Sequence, residues 1–206
     1  FTRSQDEHVP HVLHDLGFGN RVVHIQAGPE VPMPKKELAG FIPEYIDGIL
    51  KFNQEKNIAY DIIHSHYWMS GIAASQLSER WGGTPILQMF HTIGEMKNSV
   101  AKNQEEKEGE YRLEGEKRVI QSADRIVAAT LAEQAQLQWL YKTNVQKITV
   151  IPPGVDTDHF YPIPVDAARQ YIGVKPNDRM ILFVGRIEPL KGLVTLIQAV
   201  AQLRLS

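Results

Sequence analysis

The sequence contains no cysteine among its 206 residues. This absence excludes a disulfide framework and any metal site built on thiolates. No apolar run approaches the roughly 20 residues that a membrane-spanning helix needs. The formal net charge is −2, so no overall positive field favours nucleic acid as a partner. We therefore expect an ordinary globular protein in the cytoplasm, with peripheral membrane association left open.

The sequence patterns of two common enzyme classes are also missing. No predicted strand is followed by G-x-G-x-x-G, and the turn from Gly17 to Asn20 lacks the third glycine of that dinucleotide-binding pattern. No G-x-S-x-G is present to place the nucleophile of a serine hydrolase. The chain opens at Phe1 without a methionine and closes at Ser206 inside a helical pattern. We interpret it as a fragment of a longer protein.

What the sequence does contain is an alternation of short β-branched runs and helical apolar patterns. Strands are predicted at 21–26, 61–66, 85–90, 125–129 and 147–151. Helices are predicted at 38–56, 70–80, 113–122 and 131–141, whereas residues 93–110 show no clear apolar face. Ser70 is the expected N-cap of the second helix, and Thr130 with Glu133 forms a capping box for the fourth. This alternation is typical of βαβ units and a parallel sheet.

The proline-rich segment at 152–164 is the clearest domain boundary in the chain. We assign residues 1–151 to a first α/β domain, 152–164 to a linker and 165–206 to the start of a second domain. In that second part, helices are predicted at 165–172 and 193–203, with a strand at 180–184. The expected fold class is α/β, a Rossmann-like parallel-sheet domain followed by the beginning of another.

The segment from Phe183 to Gly192 has the composition of an anion site. An apolar run ends at Gly185, and Arg186 and Lys191 then precede a predicted helix. Glycines allow close approach of the backbone, and a helix N-terminus with two nearby cations attracts a phosphate or diphosphate. A surface loop that happens to carry two cations is the competing interpretation.

Polar residues also follow two strands of the first domain, where ligands of parallel sheets bind. His64, His66 and Tyr67 stand at the end of one strand, and His91 and Thr92 at the end of the next. No cluster of carboxylates accompanies the histidines, so we expect no metal. We interpret His64 as a buried, hydrogen-bonded histidine, and for His66 that role and contact with a ligand stay equally open.

Taken in order, these segments resemble the retaining glycosyltransferases of family 4, which have the GT-B architecture. The matching segments are Phe1 to Ser4, Ala27 to Pro29, Asp61 to Gly71, Phe90 to Asn98, Ala123 to Arg125, Val150 to Asp156 and Val184 to Gly192. Within the family, the two histidine-containing segments look most like the D-inositol-3-phosphate glycosyltransferases and the sucrose-phosphate synthase group.

The resemblance implies transfer of a sugar from an NDP-sugar, bound by the C-terminal domain, to an acceptor hydroxyl held by the N-terminal domain. Gly185, Arg186 and Lys191 match the donor-binding segment, and the two cations would also stabilise the departing nucleotide. His91 matches a catalytic histidine near the transferred sugar, and a residue that only orients the groups around the sugar is the alternative. No cofactor is implied, because the nucleotide-sugar is a substrate, and we expect no metal.

For the subgroup, the resemblance further implies a clamp for the phosphate of a phosphorylated polyol or sugar. The residues at the matching positions are Lys35, Tyr67, Thr92 and Arg112. Lys36 adjoins Lys35 and competes with it for this role. Arg112 stands in a charge-dense stretch, where a solvated helix face is the alternative.

The chain departs from the family pattern at both ends. The glycine-rich turn after the family's first strand and the E-x7-E region are absent, so we expect this fragment to be inactive alone. Two other functions stay open: a non-catalytic domain that binds sugar phosphates, and a sugar-nucleotide epimerase of the same architecture.

Overall fold

The computed structural model describes residues 1–13, 16–188 and 191–203. The chain divides into two compact units, Phe1–Pro152 and Pro153–Ser206. The first unit contains both sheets and almost all of the buried side chains. Each unit is described by itself below.

A three-stranded sheet lies at the start of the first unit. Its strands are β1 (Thr2–Arg3), β2 (Val12–Leu13) and β3 (Val22–Ile25), in the order β1-β3-β2. β1 runs parallel to β3, whereas β2 is antiparallel to it. Only β3 was predicted from the sequence, because runs of two residues are too short to show a period.

The second sheet is the one that places the candidate site. It consists of β4 (Ile63–His66), β5 (Ile86–Met89), β6 (Arg125–Ala128) and β7 (Ile148–Val150), and all neighbours in the order β4-β5-β6-β7 are parallel. β5, β6 and β7 are predominantly apolar, as is usual for parallel strands covered by helices, whereas β4 carries two histidines on an exposed face. All four fall within the strand ranges predicted from the sequence.

The helices of the first unit fill the connections between strands. They are α1 (Lys35–Leu38), α2 (Ile42–Lys56), α3 (Trp68–Arg80), α4 (Gly94–Val100), α5 (Glu110–Ser122) and α6 (Leu131–Tyr141). A single 3₁₀ turn, Ala39–Phe41, joins α1 to α2. Along α2, Ile42, Ile46 and Ile49 are buried at helical spacing and pack in the cluster that includes Val23 and Ile25 of β3.

Two helix starts test the capping predictions. The Oγ1 of Thr130 accepts a hydrogen bond from the backbone N–H of Glu133 at 3.1 Å, which confirms Thr130 as a cap. The Glu133 carboxylate accepts from the N–H of Ala129, one residue before the position expected in a capping box. The prediction of Ser70 as a cap is wrong, because α3 begins at Trp68 and no side chain among the described residues caps it.

Helix α4 was missed by the sequence analysis. It lies inside 93–110, which has no apolar periodicity of its own. Tertiary hydrogen bonds hold it instead: the N–H of Gly94 donates to the Glu116 carboxylate, and Lys97 Nζ donates to Glu108 at 2.6 Å. A pattern confined to the segment itself could not reveal these partners.

In the second unit, α7 (Val165–Tyr171) and α8 (Leu193–Gln202) agree with the predicted helices. The strand predicted at 180–184 is not observed, since these residues pair with no strand in the described part of the chain. A strand exists only through hydrogen bonds to a neighbour, and this run has none there.

Over the same described ranges, no helix has the length and apolar character needed to cross a bilayer.

Candidate functional site

The carboxyl ends of β4 and β5 lie side by side, with His66 opposite Met89. A fully buried side chain, Gln88, joins the two ends. Its Oε1 accepts from Ser65 Oγ at 2.6 Å, and its Nε2 donates to the carbonyl oxygens of Tyr67 and Met89 at 3.3 and 3.0 Å. Because a buried amide is costly unless its groups are paired, this arrangement fixes the relative position of the strand ends.

Both strand ends turn through backbone conformations that L-residues rarely adopt. Tyr67 has φ 73° and ψ 154°, and His91 has φ 62°. Such conformations cost on the order of 1–3 kcal/mol each and are found most often at functional sites. Here they redirect the chain directly after β4 and β5, where polar side chains were predicted to meet a ligand.

Three histidines form a cluster on one face of these strand ends. Nδ1 of His66 lies 2.8 Å from Nε2 of His91, and the two rings stack with centroids 5.1 Å apart. The His64 ring lies 4.2 Å from that of His66. Burial, followed by repulsion from His64 and His91, lowers the pKa of His66.

The prediction of a buried His64 is wrong. Along β4, Ser65 points into the core, so His64 and His66 share the opposite, exposed face. Despite this cluster, no group of three or more potential ligands in the described ranges is arranged to hold a metal ion. The absence of a metal from the function stays a prediction.

Arg112 lies inside the first unit with only 4% of its surface exposed. The alternative of a solvated helix face is therefore wrong. Its Nε donates to Glu116 at 2.8 Å, Nη1 donates to Glu108 at 2.6 Å, and Nη2 donates to the carbonyl oxygen and Oγ1 of Thr92 at 3.0 and 3.2 Å. Although burial opposes the charged form, the hydrogen bond and charge of Glu116 raise the pKa of Arg112.

The four residues predicted to clamp a phosphate are brought together in the structure. The guanidinium carbon of Arg112 lies 5.2 Å from the ring centroid of Tyr67, and Lys35 Nζ lies 5.4 Å from the same centroid. Both distances are in the range of cation–π contacts. Thr92 joins the group through its hydrogen bond with Arg112. Their role as acceptor ligands stays a prediction.

A cavity of about 310 Å³ opens beside this group. Lys35, Lys36, Tyr67 and Arg112 line it. Its size suits a small ligand, and its wall carries more positive than negative side chains, with Glu108 as the carboxylate among its lining residues. Both lysines reach the cavity, so the choice between Lys35 and Lys36 rests on the contact of Lys35 with Tyr67.

The loop before α1 is held in place by Arg3. Its guanidinium donates to the carbonyl oxygens of Ala27, Pro29 and Val31, at distances from 3.2 down to 2.5 Å. Since this loop leads directly into α1, Arg3 helps to fix the start of the helix that carries Lys35. The sequence analysis did not single out Arg3 for this role.

The sequence analysis also missed the carboxylates around Arg112. Glu116 stands four residues after it on α5, the spacing at which helical side chains are neighbours, and Glu108 stands four residues before it, just ahead of the helix. That spacing was the available signal. It was obscured because the surrounding residues are mostly charged, which is typical of an exposed helix.

In the second unit, the predicted donor-binding residues lie on the turn before α8. Arg186 is exposed and forms an ion pair with Glu188 at 2.8 Å. The backbone N–H of Lys191 donates to the carbonyl oxygen of Glu188, and Gly192 begins α8 with φ 70°. A Cβ added to Gly185 would lie 3.9 Å from Cγ of Lys191. Pro189 of the same motif lies outside the described residues.

Comparison with known proteins places the chain in a family. The model of glycosyltransferase family 4 matches residues 1–159. The chain belongs to this family. It is 40% identical over 205 residues to a D-inositol 3-phosphate glycosyltransferase of Paenarthrobacter aurescens, covering 99% of the chain and 50% of that protein. It is 38% identical over 204 residues to D-inositol 3-phosphate glycosyltransferase 2 of Catenulispora acidiphila, covering 98% and 47%.

The chain spans about half the length of the curated relatives it matches. Among solved structures, it is similar to sucrose-phosphate synthase of Thermosynechococcus elongatus, with a TM-score of 0.82, 29% identity and coverage of 98% of this chain and 48% of that one. HepE of Anabaena in complex with UDP and glucose gives 0.58 at 19% identity, covering 88% and 44%. The second match concerns the fold alone. The predicted α/β fold of GT-B glycosyltransferases is confirmed.

Proposed function

We propose that the protein is a retaining glycosyltransferase that moves a sugar from an NDP-sugar to a hydroxyl of a phosphorylated polyol or sugar. The observation that carries the proposal is the assembly of Lys35, Tyr67 and Arg112 around one cavity, with Thr92 bonded to Arg112. Guanidinium, ammonium and hydroxyl groups are the side chains that bind a phosphomonoester. Membership of family 4 supplies the reaction class.

In the proposed reaction, the bond between the anomeric carbon and the diphosphate oxygen breaks and its electron pair leaves with the nucleotide. The acceptor oxygen forms the new bond to that carbon on the same face and loses its proton to the departing diphosphate. Arg186 and Lys191 would stabilise the negative charge that develops on the leaving group. His91, at the end of β5, would contact the transferred sugar.

The proposed acceptor class follows the names of the relatives. D-inositol 3-phosphate glycosyltransferases match nearly the whole chain, and a sucrose-phosphate synthase has a similar structure. Both names refer to small phosphorylated molecules. The nucleotide-sugar is the second substrate, no cofactor or metal is expected, and a cytoplasmic location stays a prediction.

The test is a transfer assay on the protein in its full length. NDP-sugars with different bases would be offered with inositol 3-phosphate, fructose 6-phosphate and their unphosphorylated forms. We expect transfer that prefers a phosphorylated acceptor. Arg186→Ala and Lys191→Ala should each lower kcat/KM by an amount equivalent to about 2–4 kcal/mol. Arg179→Ala, another exposed cation of the second unit, is the control, and unchanged turnover in both site variants would contradict the proposal.

A further inference from the structure

Glu116 is a fully buried carboxylate on α5, directly behind the guanidinium of Arg112. Its Oε1 accepts from Nε of Arg112 at 2.8 Å and from the N–H of Gly94 at 3.1 Å. Its Oε2 accepts from the same N–H at 2.9 Å and from the hydroxyl of Tyr141. Both oxygens are therefore paired, which a carboxylate away from water requires.

The hydrogen bonds of Arg112 divide its guanidinium into two edges. The inner edge, at Nε and Nη2, faces Glu116 and Thr92. The outer edge, at Nη1, donates to Glu108, a half-buried carboxylate that lines the cavity together with Arg112. An arginine has five N–H donors, and two of them are on Nη1. The outer edge is thus the part of Arg112 that can donate hydrogen bonds to a bound anion.

Glu108 shows that this outer edge can donate to an anionic oxygen, because Nη1 donates to its Oε1 at 2.6 Å. The same oxygen accepts from Nζ of Lys97 at 2.6 Å. Although burial opposes ionisation, the bonds to Lys97 and Arg112 lower the pKa of Glu108. The outer edge can therefore hold a carboxylate while the inner edge remains bound to Glu116.

Glu116 also connects Arg112 to the turn that follows β5. Gly94 begins α4 two residues after Thr92, and its N–H is held by both oxygens of Glu116. Tyr141, at the end of α6, donates to Glu116 and accepts from the N–H of Glu95. One carboxylate thus ties Arg112, the turn after His91 and α6 together.

We infer that Glu116 is a positioning residue for the acceptor phosphate: it fixes the inner edge of Arg112 so that the outer edge is presented to an anion in the cavity. The inference rests on the proposed function and adds a residue and a role to it. Replacing a buried ion pair by apolar groups commonly costs little stability, so the charged arrangement is not explained by folding alone.

The decisive variant is Glu116→Gln in the protein in its full length. A glutamine keeps the shape but loses the charge, and its NH₂ opposes one of the surrounding donors. We expect the KM for inositol 3-phosphate to rise about tenfold or more, with the KM for the donor unchanged. The preference for inositol 3-phosphate over inositol, measured as the ratio of kcat/KM values, should fall by a similar factor. General loss of structure would lower both values together and leave that ratio unchanged.

Glu114→Gln is the matched control. Glu114 is on the same helix but exposed, and it pairs with Lys117 at 2.7 Å. It should keep the wild-type acceptor preference. If Glu116→Gln does not fold, Tyr141→Phe provides a second test of the positioning role. It removes one donor from Glu116 and leaves Arg112 intact, and the preference for inositol 3-phosphate over inositol is measured in the same way. We expect it to lower the preference by about threefold, a weaker effect than that of Glu116→Gln.

Three outcomes separate this inference from the function it rests on. If the wild-type protein transfers to no phosphorylated acceptor, both are overturned. If the wild type prefers the phosphorylated acceptor and the folded Glu116 variant keeps that full preference, the positioning role alone is overturned. A lost preference in the Glu116 variant with an unchanged Glu114 variant supports it.

Discussion

Nδ1 of His66 lies 2.8 Å from Nε2 of His91, so a hydrogen bond spans the carboxyl ends of two neighbouring strands. One of these nitrogens must donate and the other accept, which is possible only while at least one ring is neutral. The stacked rings and the nearby His64 make a second positive charge in this cluster unfavourable. The geometry of the site therefore depends on the protonation of His66, whose pKa is lowered by burial and by the neighbouring His64 and His91.

The first prediction concerns stability at acid pH. Burial and repulsion lower the pKa of His66 from its ordinary value of 6.5 in the folded protein. Because the unfolded chain then takes up its proton at higher pH, the free energy of unfolding is highest above pH 6.5 and falls as the pH decreases through 6.5 towards the folded-state pKa. In His66→Gln this decline should be smaller. Urea unfolding at about pH 7.5 and about pH 5.5 measures it.

The control for this experiment is His8→Gln, which removes an exposed histidine of the same unit. It should retain the wild-type decline. An identical decline in wild type and His66→Gln would show that the cluster does not contribute to the pH dependence.

The second prediction concerns the strained backbone at Tyr67. Glycine adopts φ 73° without steric cost, whereas alanine does not. Tyr67→Gly should therefore be more stable than Tyr67→Ala by about 1–3 kcal/mol in urea unfolding, although both lose the ring between Lys35 and Arg112. Tyr60, which is not among the residues with positive φ, is the control position. At position 60, the glycine variant should be no more stable than the alanine variant. If Tyr67→Gly is likewise no more stable than Tyr67→Ala, the backbone at Tyr67 is not strained.

The third prediction concerns close packing of α5 on α3. A Cβ added to Gly115 would lie 2.6 Å from atoms of the Trp68 ring, which is buried. Gly115→Ala should lower the free energy of unfolding by about 1–3 kcal/mol, since the ring must move in a filled core. At Gly40, no atom of the described residues lies within 4 Å of an added Cβ, so Gly40→Ala serves as the control. Equal stability of the two variants would mean that the core adapts without cost.

The fourth prediction separates the two adjacent lysines of the cavity. Lys35 Nζ lies near the Tyr67 ring, where Arg112 also lies, and such a contact is not observed for Lys36 in the described residues. Lys35→Ala should raise the KM for a phosphorylated acceptor about tenfold, the effect of losing one hydrogen bond to a charged group. Lys36→Ala should change it much less. The reverse order, measured by initial rates at equal ionic strength, would transfer the role to Lys36.

The sequence by itself determined five strands, β3 to β7, and four helices, α2, α3, α5 and α6, of the first unit. β-branched runs such as Ile126 and Val127, and the spacing of Ile42, Ile46 and Ile49, are local patterns, and helices and strands follow from local periodicity. The motifs at Val150 to Asp156 and Val184 to Gly192 also indicated the family, because their residues stand at fixed short spacings. Capping by Thr130 was local in the same sense.

Tertiary structure decided what these patterns could not contain. The sequence around Arg112 is typical of a charged, exposed helix. Arg112 is nevertheless buried, because Glu116, Glu108 and Thr92 surround it and accept its hydrogen bonds. Helix α4 forms without apolar periodicity because Glu116 holds its first N–H. The exposed position of His64 depends on which face of β4 meets the core. For Arg112 and for α4, the partners that decide the arrangement include groups 20 and 22 residues away in sequence, and only the folded chain brings these within hydrogen-bond distance.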